Sequence, residues 1–257
     1  MKFEKYRAPV AVILAAGIGS RLSPLTDTCP KSLLSVGGSA ILERMLRNCL
    51  SCGVSQFVIV LGHRADEIRQ FVDKAFRGIR VTYVMNDRYR ETNTGYSLML
   101  ASAAIGTADF VKFDADVVFD VEILRRLLDS KRANVLCIDR NIALEDEEVK
   151  VITDSQMRVV EVGKSVDPEL ALGESIGIEK ISAASGTILF AELEQMMAIH
   201  TNLQEYYEAA YARLVNKGTE FDVLDITGLN WTEIDTVEDF NAANLMFGSP
   251  ITTASRI

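Results

Sequence analysis

Short apolar runs alternate with helical periodicities along the first half of the chain. The runs are rich in β-branched residues, whereas between them apolar residues recur every three or four positions. This pattern predicts strands at about 10–16, 56–61, 79–84 and 109–113, and helices at about 40–51, 65–76, 98–105 and 121–128. Strands alternating with helices are typical of a parallel sheet with right-handed crossovers. The first half is therefore predicted to be an α/β unit.

The pattern changes after residue 132. A strand at 133–138 precedes an acidic loop, two short β segments, two amphipathic helices and a last helix. Thr236 is the predicted cap of that last helix, with Glu238 and Asp239 in its favourable first turn. The predicted ranges are 145–148 for the acidic loop, 149–153 and 159–162 for the β segments, and 183–199 and 205–216 for the amphipathic helices.

Composition and charge favour one self-sufficient domain that acts on small molecules. The chain has 257 residues, of which 48% are hydrophobic, enough for one large α/β domain rather than two small ones. We predict a single domain over 1–247, with halves at about 8–132 and 133–247, and a loose tail at 248–257. The net charge of −9 disfavours nucleic-acid and membrane-surface partners, because both need clustered Lys and Arg.

The cysteines and the hydropathy pattern predict a cytoplasmic protein. Cys29, Cys49, Cys52 and Cys137 are too few and too unevenly placed for a secreted disulfide framework. Helix packing explains the Cys49-x-x-Cys52 spacing, since no second pair and no nearby histidine completes a zinc set. The N-terminus has no apolar signal core, and no apolar run approaches the ~20 residues of a membrane span.

The loop after the first predicted strand carries the clearest sign of chemistry. Gly17, Gly19 and Ser20 have no bulky side chains, so their backbone N–H groups can approach phosphate oxygens. Arg21 can bind phosphate bidentately and Lys31 as a mobile point charge, a pair suited to a polyphosphate. A Gly-x-Gly after a strand is also common in ordinary turns. The third glycine of the dinucleotide fingerprint and the Gly-Lys-Ser/Thr of a P-loop are both missing, which disfavours those two classes, including a dinucleotide oxidoreductase.

An acidic pair stands at the end of the strand at 109–113. Asp114 and Asp116 alternate there and are predicted to point to one side, at the same sheet edge as the glycine-containing loop. Two such carboxylates repel each other without a cation, which favours a bound divalent metal. An acidic turn before a helix that starts at Asp120 is the structural alternative.

The string from Leu14 to Gly38 resembles the signature of nucleotidyltransferases that couple an NTP to a sugar phosphate or a phospho-alcohol. The matching residues are Leu14-Ala15-Ala16-Gly17-x-Gly19-Ser20-Arg21-Leu22, a Pro-containing loop, Pro30-Lys31, and an apolar strand ending at Gly37-Gly38. The resemblance covers nearly the whole chain and is closest to the short cytidylyltransferases for phosphocholine, inositol 1-phosphate and aminoethylphosphonate. It implies a three-layer, Rossmann-like α/β nucleotidyltransferase fold with a mainly parallel central sheet and a small β-rich lid on the acceptor side.

The resemblance also implies roles for individual residues. Mg²⁺ is expected to be held by Asp116 and Asp235, with Asp114 in support, and Lys164 is expected to meet the acceptor phosphate. The other expected catalytic residues are Arg21 and Lys31, and the expected nucleotide contacts are Leu14, Ala16, Gly17, Gly19, Ser20, Asn86, Asn93, Thr94, Gly95 and Asp114.

Together these features predict a CTP-dependent enzyme that transfers CMP to a small phosphorylated acceptor and releases pyrophosphate. The stretch 93–98, Asn-Thr-Gly-Tyr-Ser-Leu, replaces the Gly-Thr-Ala-rich stretch of hexose-1-phosphate enzymes and favours CTP. The acceptor stays open between phosphocholine, inositol 1-phosphate, aminoethylphosphonate and a sugar phosphate, and no feature predicts an oligomeric state. Candidate acceptor contacts are Tyr96, Tyr206 and Trp231 for an aromatic cage, and Arg140 and Glu174 for a phosphate, hydroxyls or an amine. A non-catalytic nucleotide-sensing subunit would instead predict a damaged metal pair or a missing Lys31, and the sequence has neither defect.

Overall fold

The computed structural model describes residues 8–142 and 144–248, without the side chains of residues 200 and 201. Its strands are β1 (Val10–Ala15), β2 (Ser35–Val36), β3 (Ser39–Ala40), β4 (Gln56–Leu61), β5 (Arg80–Met85), β6 (Phe110–Asp114), β7 (Val117–Phe119), β8 (Val135–Asp139), β9 (Lys150–Thr153), β10 (Val159–Gly163), β11 (Gly173–Ile181), β12 (Asp222–Asp225) and β13 (Trp231–Glu233). Its helices are α1 (Ile41–Ser51), α2 (Ala65–Ala75), α3 (Thr94–Leu100), α4 (Ser102–Ile105), α5 (Val121–Asp129), α6 (Ala183–Met197), α7 (Tyr207–Asn216) and α8 (Val237–Phe247). The predicted loose tail lies, apart from Gly248, outside the described residues.

A nine-stranded sheet forms the centre of the molecule. The strands β6, β1, β4 and β5 lie side by side and run parallel. The long strand β11 runs antiparallel beside β6 and also pairs with β8 and β9, while β12 pairs with β8 and β10 with β9. The predicted α/β fold with a mainly parallel central sheet is confirmed. The β-rich section of the second half forms the antiparallel end of this same sheet.

Helices cover both faces of the sheet because its inner strands are apolar on both sides. In β1, Ala11 and Ile13 belong to the core cluster that includes α1, α2 and α5, whereas Val12 and Leu14 belong to the cluster that includes α3, α6 and α7. All four side chains are buried. Strands that are buried on both faces are typical of the middle layer in doubly covered sheets. The predicted three-layer architecture is therefore present.

The observed elements differ from the predicted ones where tertiary contacts, rather than the local sequence, determine where an element begins or whether a strand forms. The helix predicted at 98–105 begins earlier, at Thr94, because the Asn93 side chain accepts a hydrogen bond from the Thr94 N–H and caps it. The strands β7, β11, β12 and β13 are not predicted, since β7, β12 and β13 are too short to show a period and β11 contains two glycines and three charged residues. Their positions are set by pairing partners that are distant in sequence.

The cysteines behave as packing residues. All four are free. Cys49 and Cys137 are buried, and burial raises the pKa of both thiols, so they pack as apolar side chains.

Within the described ranges, no helix combines the length and apolar character needed to cross a bilayer.

The last helix begins with the predicted cap at Thr236. The Thr236 hydroxyl accepts a hydrogen bond from the Asp239 N–H, and the Asp239 carboxylate accepts one from the Thr236 N–H. We expect Thr236→Ala to lower the free energy of unfolding by about 1 kcal/mol, because a helix N–H loses its partner. Urea denaturation measures the change, and Thr236→Ser, which keeps the hydroxyl, is the control. An alanine variant as stable as the wild type would contradict this role.

Candidate active site

A cleft of about 620 Å³ opens at the carboxyl ends of β1 and β6. Ligands of open α/β sheets bind at such strand ends. The predicted site residues that line it are Leu14, Gly17, Gly19, Ser20, Arg21, Lys31, Asn93, Thr94, Asp114, Asp116, Lys164, Glu174, Tyr206, Trp231 and Asp235. The predicted residues that do not line it are Ala16, Asn86, Gly95, Tyr96 and Arg140. The fold thus brings most of the predicted residues, from both halves of the chain, to one place.

The loop after β1 is shaped by contacts of its own. Gly19 has a φ of +69°, and its carbonyl accepts a hydrogen bond from the Thr26 hydroxyl at 2.9 Å. A Cβ atom on Gly19 would lie 3.0 Å from the Lys31 Cβ. Glycine is therefore favoured both by the left-handed backbone and by the close approach of Lys31. A 3₁₀ turn at Ser20–Leu22 follows and carries Arg21.

Lys31 lies between two carboxylates from distant parts of the chain. Its Nζ donates to Oδ2 of Asp116 and to Oδ1 of Asp235, each at 2.6 Å. Burial alone would lower the pKa of Lys31, but the charges and hydrogen bonds of these carboxylates outweigh burial and raise it. Arg21, which is more exposed, donates to Oδ2 of Asp235 at 2.6 Å. Two permanent positive charges therefore stand beside the predicted metal ligands.

Glu233 completes a cluster of three carboxylates with Asp116 and Asp235. One oxygen from each residue lies within 4.8 Å of the others. Oδ1 of Asp116 is buried and has no hydrogen-bond partner among the described residues. Desolvation in the cleft, and then the charges of Asp116 and Asp235, raise the pKa of Glu233. Carboxylate oxygens are the hard ligands that Mg²⁺ prefers, and an unpartnered oxygen suits a cation, so these residues fit a divalent metal.

Strand pairing explains how Asp235 reaches Asp116. The strand β13 pairs antiparallel with β7, with Glu233 opposite Val117, and the Ile234 N–H donates to the Asp116 carbonyl at 3.2 Å. Because β7 follows Asp116 directly, this pairing carries residues 233–235 to the end of β6. The acidic–apolar–acidic alternation at 233–235, around a fully buried Ile234, is the sequence signal that points to Glu233.

A second charged group is enclosed beneath the cleft. Nζ of the fully buried Lys112 lies 2.8 Å from Oδ2 of Asp114 and 2.9 Å from Oε2 of Glu179, and the Tyr207 hydroxyl donates to Oδ2 of Asp114 at 2.6 Å. Burial raises the pKa of Asp114 and Glu179, and that of Glu208 to about 7. Burial alone would lower the pKa of Lys112, but the neighbouring carboxylates outweigh the effect of burial and raise this pKa. Asp114 is thus paired with the buried Lys112. The hydrophobic pattern of the sequence does not single out this lysine.

Two of the predicted nucleotide contacts have partners within the protein. Asn86 is buried and donates to the hydroxyls of Thr92 and Ser97. Gly95 lies close to the protein's own backbone, because a Cβ there would lie 2.7 Å from the Glu205 carbonyl oxygen. Both residues shape the loop whose neighbouring residues line the cleft. An amide such as Asn86 and a small residue such as Gly95 are equally suited to a contact within the protein and to a contact with a ligand, so the sequence does not distinguish the two.

Three further predicted contacts also lie away from the cleft. Ala16 is buried in the sheet core. Tyr96 lies beneath the guanidinium of Arg88, with 5.8 Å between the Arg88 carbon and the ring centroid, so it is not part of a cage at the cleft. Arg140 is paired with Asp225 at 3.4 Å. Tyr96 and Arg140 thus lie outside the cleft, and each is paired within the protein.

The end of the cleft formed by the second half of the chain carries a lysine, two aromatic residues and an acid. Lys164 lies 3.2 Å from the Glu147 carboxylate and 4.7 Å from the centre of the Tyr206 ring. The Trp231 indole N–H donates to Oδ2 of Asp139 at 2.7 Å. Burial, and then the charges of nearby carboxylates, raise the pKa of Glu174 to about 8. This end of the cleft thus differs from the Lys31 end by its aromatic lining and its buried acid.

Comparison with known proteins agrees with the fold. The MobA-like NTP transferase domain family matches residues 11–162. A CMP-5'-(3-aminopropyl)phosphonate synthase from Streptomyces rubellomurinus is 28% identical over 249 residues, which cover 93% of this chain and 39% of that protein. A CTP:phosphoglutamine cytidylyltransferase from Campylobacter jejuni subsp. jejuni is 25% identical over 250 residues, which cover 89% of this chain and 96% of that protein. The inositol-1-phosphate CTP transferase from T. maritima is 21% identical, with a TM-score of 0.79 over 93% of this chain and 95% of that chain, a likeness of fold.

The matches cover different shares of this chain and of its relatives. The chain spans only about half the length of some of the curated relatives that it matches. The region matched by the family, 11–162, contains β1, the loop with Arg21 and Lys31, and the β6 end with Asp116. Family membership therefore rests on a region that includes the β1 and β6 side of the cleft. This chain belongs to the family of MobA-like NTP transferase domains and is a nucleotidyltransferase domain.

Proposed function

We propose that this domain transfers CMP from CTP to a small phosphorylated acceptor and releases pyrophosphate. The observation that carries the proposal is a single cleft in which Arg21 and Lys31 lie beside a carboxylate cluster, while Lys164 is contributed by the second half of the chain. In this proposal the half at about 8–132 supplies the nucleotide side and the half at 133–247 the acceptor side. Relatives whose names include CMP or CTP support the choice of CTP.

The reaction is an in-line displacement at phosphorus. An oxygen of the acceptor phosphate attacks the α-phosphorus of CTP, a new P–O bond forms, and the bond to the bridging oxygen breaks as pyrophosphate leaves with the electron pair. Arg21 binds the leaving phosphates, and Lys31 neutralises the charge that develops on them. Lys164 orients the acceptor phosphate. That phosphate is already an anion, so no side chain has to remove a proton from it.

The nucleotide side lies around the end of β1. The small residues Gly17, Gly19 and Ser20 leave room for phosphate oxygens close to the backbone. Asn93 and Thr94 line the same cleft at the start of α3, and in this proposal they contact the base and ribose. Phosphates and base are thereby bound by separate loops.

The carboxylate cluster holds Mg²⁺ in this proposal. Asp116 and Asp235 are the ligands, and Glu233 lies beside them. A divalent ion bound there supplies positive charge that stabilises the transferring phosphate. The same two aspartates hold the Lys31 ammonium in the described structure, so they position both kinds of positive charge.

Pyrophosphate release from the purified chain tests the proposal. CTP, UTP, ATP and GTP are each paired with phosphocholine, phosphoethanolamine, aminoethylphosphonate, inositol 1-phosphate and glucose 1-phosphate, with Mg²⁺ or with EDTA. We expect Mg²⁺-dependent turnover with CTP and at least one acceptor, and a preference for CTP of roughly tenfold or more over the other nucleotides. Nucleotide binding without turnover for any pair would favour the sensing subunit instead.

A further inference from the structure

Glu174 is a buried acid that lines the cleft without a hydrogen-bond partner. The residue is 6% exposed, and it shares the cleft with Lys164 and Trp231. Its Oε2 atom is buried and has no partner among the described residues. Buried polar groups in folded proteins are normally hydrogen-bonded, because an unpartnered one destabilises the fold. An unpartnered oxygen in a substrate cleft therefore indicates a group that binds a ligand.

Two neighbouring carboxylates make this end of the cleft negative. Asp139, which lies opposite Glu174 on β8, accepts a hydrogen bond from the Trp231 indole. Glu148 accepts one from the Glu145 N–H. Neither carboxylate donates to Glu174, and both add to the effect of burial in raising its pKa. Three acids are thus held together by the fold, and a cation is the ligand that relieves their repulsion.

The nearby lysines are already engaged. Lys150 lies opposite Glu174 on β9, but its Nζ donates to two backbone carbonyls of the acidic loop. Lys164 donates to Glu147. In the described structure neither lysine forms a hydrogen bond to the Glu174 carboxylate. The charges of both lysines oppose the rise in the pKa of Glu174 without cancelling it, so the acid still lacks a cationic hydrogen-bond partner among the described residues.

We propose that Glu174 binds the ammonium group of the acceptor, which is therefore a phosphate or phosphonate monoester that bears a cationic amine. This inference rests on the proposed function and defines its acceptor. An ammonium group lowers the raised pKa of Glu174 and forms a charge-assisted hydrogen bond with the resulting carboxylate, whereas the hydroxyl of a neutral acceptor forms only a neutral hydrogen bond with the protonated acid. Lys164 meets the phosphate of the same molecule, so each charged end of the acceptor contacts a side chain of opposite sign.

Trp231 adds an aromatic surface at the Glu174 end of the cleft, which also favours a cation. The Trp231 indole N–H donates to Asp139, which lies opposite Glu174 on β8, so the ring and the acid belong to the same end of the cleft.

The test compares two acceptors that differ in charge and hardly in size. Phosphoethanolamine carries an ammonium group where 2-hydroxyethyl phosphate carries a hydroxyl. With CTP and Mg²⁺, the wild type is expected to prefer the amine in kcat/KM by roughly tenfold or more. Glu174→Gln, which is uncharged and of the same size, is expected to lower kcat/KM for the amine by roughly tenfold or more, mainly through KM. The hydroxyl acceptor should change by no more than about twofold, and the KM for CTP should not change.

Two further variants separate charge from structure. Glu174→Asp keeps the charge and is expected to keep the preference for the amine. Glu161→Gln, an exposed acid on β10, is expected to change neither acceptor. A wild type that uses both acceptors equally would overturn the proposal. An equal loss with both acceptors in Glu174→Gln would overturn it as well, because that is the signature of a purely structural role.

Measurements of acceptor binding distinguish a failure of this inference from a failure of the proposed function. If no nucleotide and acceptor pair turns over, the proposed function fails, and calorimetric titration of both phosphate esters decides the inference. Tighter binding of phosphoethanolamine than of 2-hydroxyethyl phosphate, lost in Glu174→Gln, supports a site for a cationic amine. Equal binding of the two esters overturns it.

Discussion

Asp116→Asn and Asp235→Asn are each expected to lower kcat/KM for pyrophosphate release by about 10³-fold or more. Each change removes one negative oxygen from the carboxylate cluster in which three side chains lie within 4.8 Å of one another. The loss corresponds to about 4 kcal/mol of stabilisation of the reacting phosphate, a typical contribution of a bound cation and of the charges that it organises. Activity is measured with CTP over a range of Mg²⁺ concentrations, and metal affinity is measured by calorimetric titration of Mn²⁺.

The structure predicts that these variants still fold. Lys31 is paired with both aspartates, so each single variant leaves it one carboxylate. We therefore expect the free energy of unfolding to change by no more than about 1 kcal/mol. Asp129→Asn, at the exposed end of α5, is the matched control and should affect neither activity nor metal binding. Unchanged activity in the Asp116 or Asp235 variant would remove that residue from the metal site.

The sequence predicts the β1 side of this site because the relevant signals are local. An apolar run predicts the strand, the strand predicts where its carboxyl end lies, and the small residues Gly17, Gly19 and Ser20 follow directly. Asp116 is found in the same way at the end of β6. Parallel strands bring their ends to one edge, so neighbours in the sheet can be inferred without knowledge of distant contacts.

The rest of the site depends on contacts that have no local signal. Asp235 is assigned from the resemblance alone, and Glu233 reaches it only through the three-residue strand β13. Lys112 lies within an apolar strand, where a lysine is expected to be exposed rather than enclosed among acids. Gly95 illustrates a different limit, because its small size suggests a close contact without naming the partner, and in the structure the backbone of Glu205 lies beside it. Side-chain chemistry indicates what a residue can do, and packing decides which partner it meets.

Lys112→Met is expected to lower the free energy of unfolding by roughly 3–5 kcal/mol near pH 8. Lys112 is fully buried and lies within 2.9 Å of Asp114 and Glu179, with the Tyr207 ring 3.6 Å from its Nζ. Methionine fills a similar volume but leaves the acids, including Glu208, without their cation. Removing one partner of a buried ion pair is costly because the remaining charge is neither solvated nor compensated. Urea denaturation measures the loss, with the exposed Lys74→Met on α2 as the control.

The pH dependence of this variant follows from the raised pKa values of the acids. Glu208 binds its proton more tightly in the folded protein, with a pKa of about 7 against an ordinary 4.5, so stability falls as pH rises between these values. Without the Lys112 ammonium, the pKa values of the buried acids rise further and the fall extends to higher pH. The deficit of Lys112→Met relative to the wild type should therefore be larger at pH 8 than at pH 6. The double variant Lys112→Met/Glu179→Gln should recover part of the loss because one uncompensated acid is gone. A deficit that shrinks as pH rises would contradict a buried ion pair beneath the cleft.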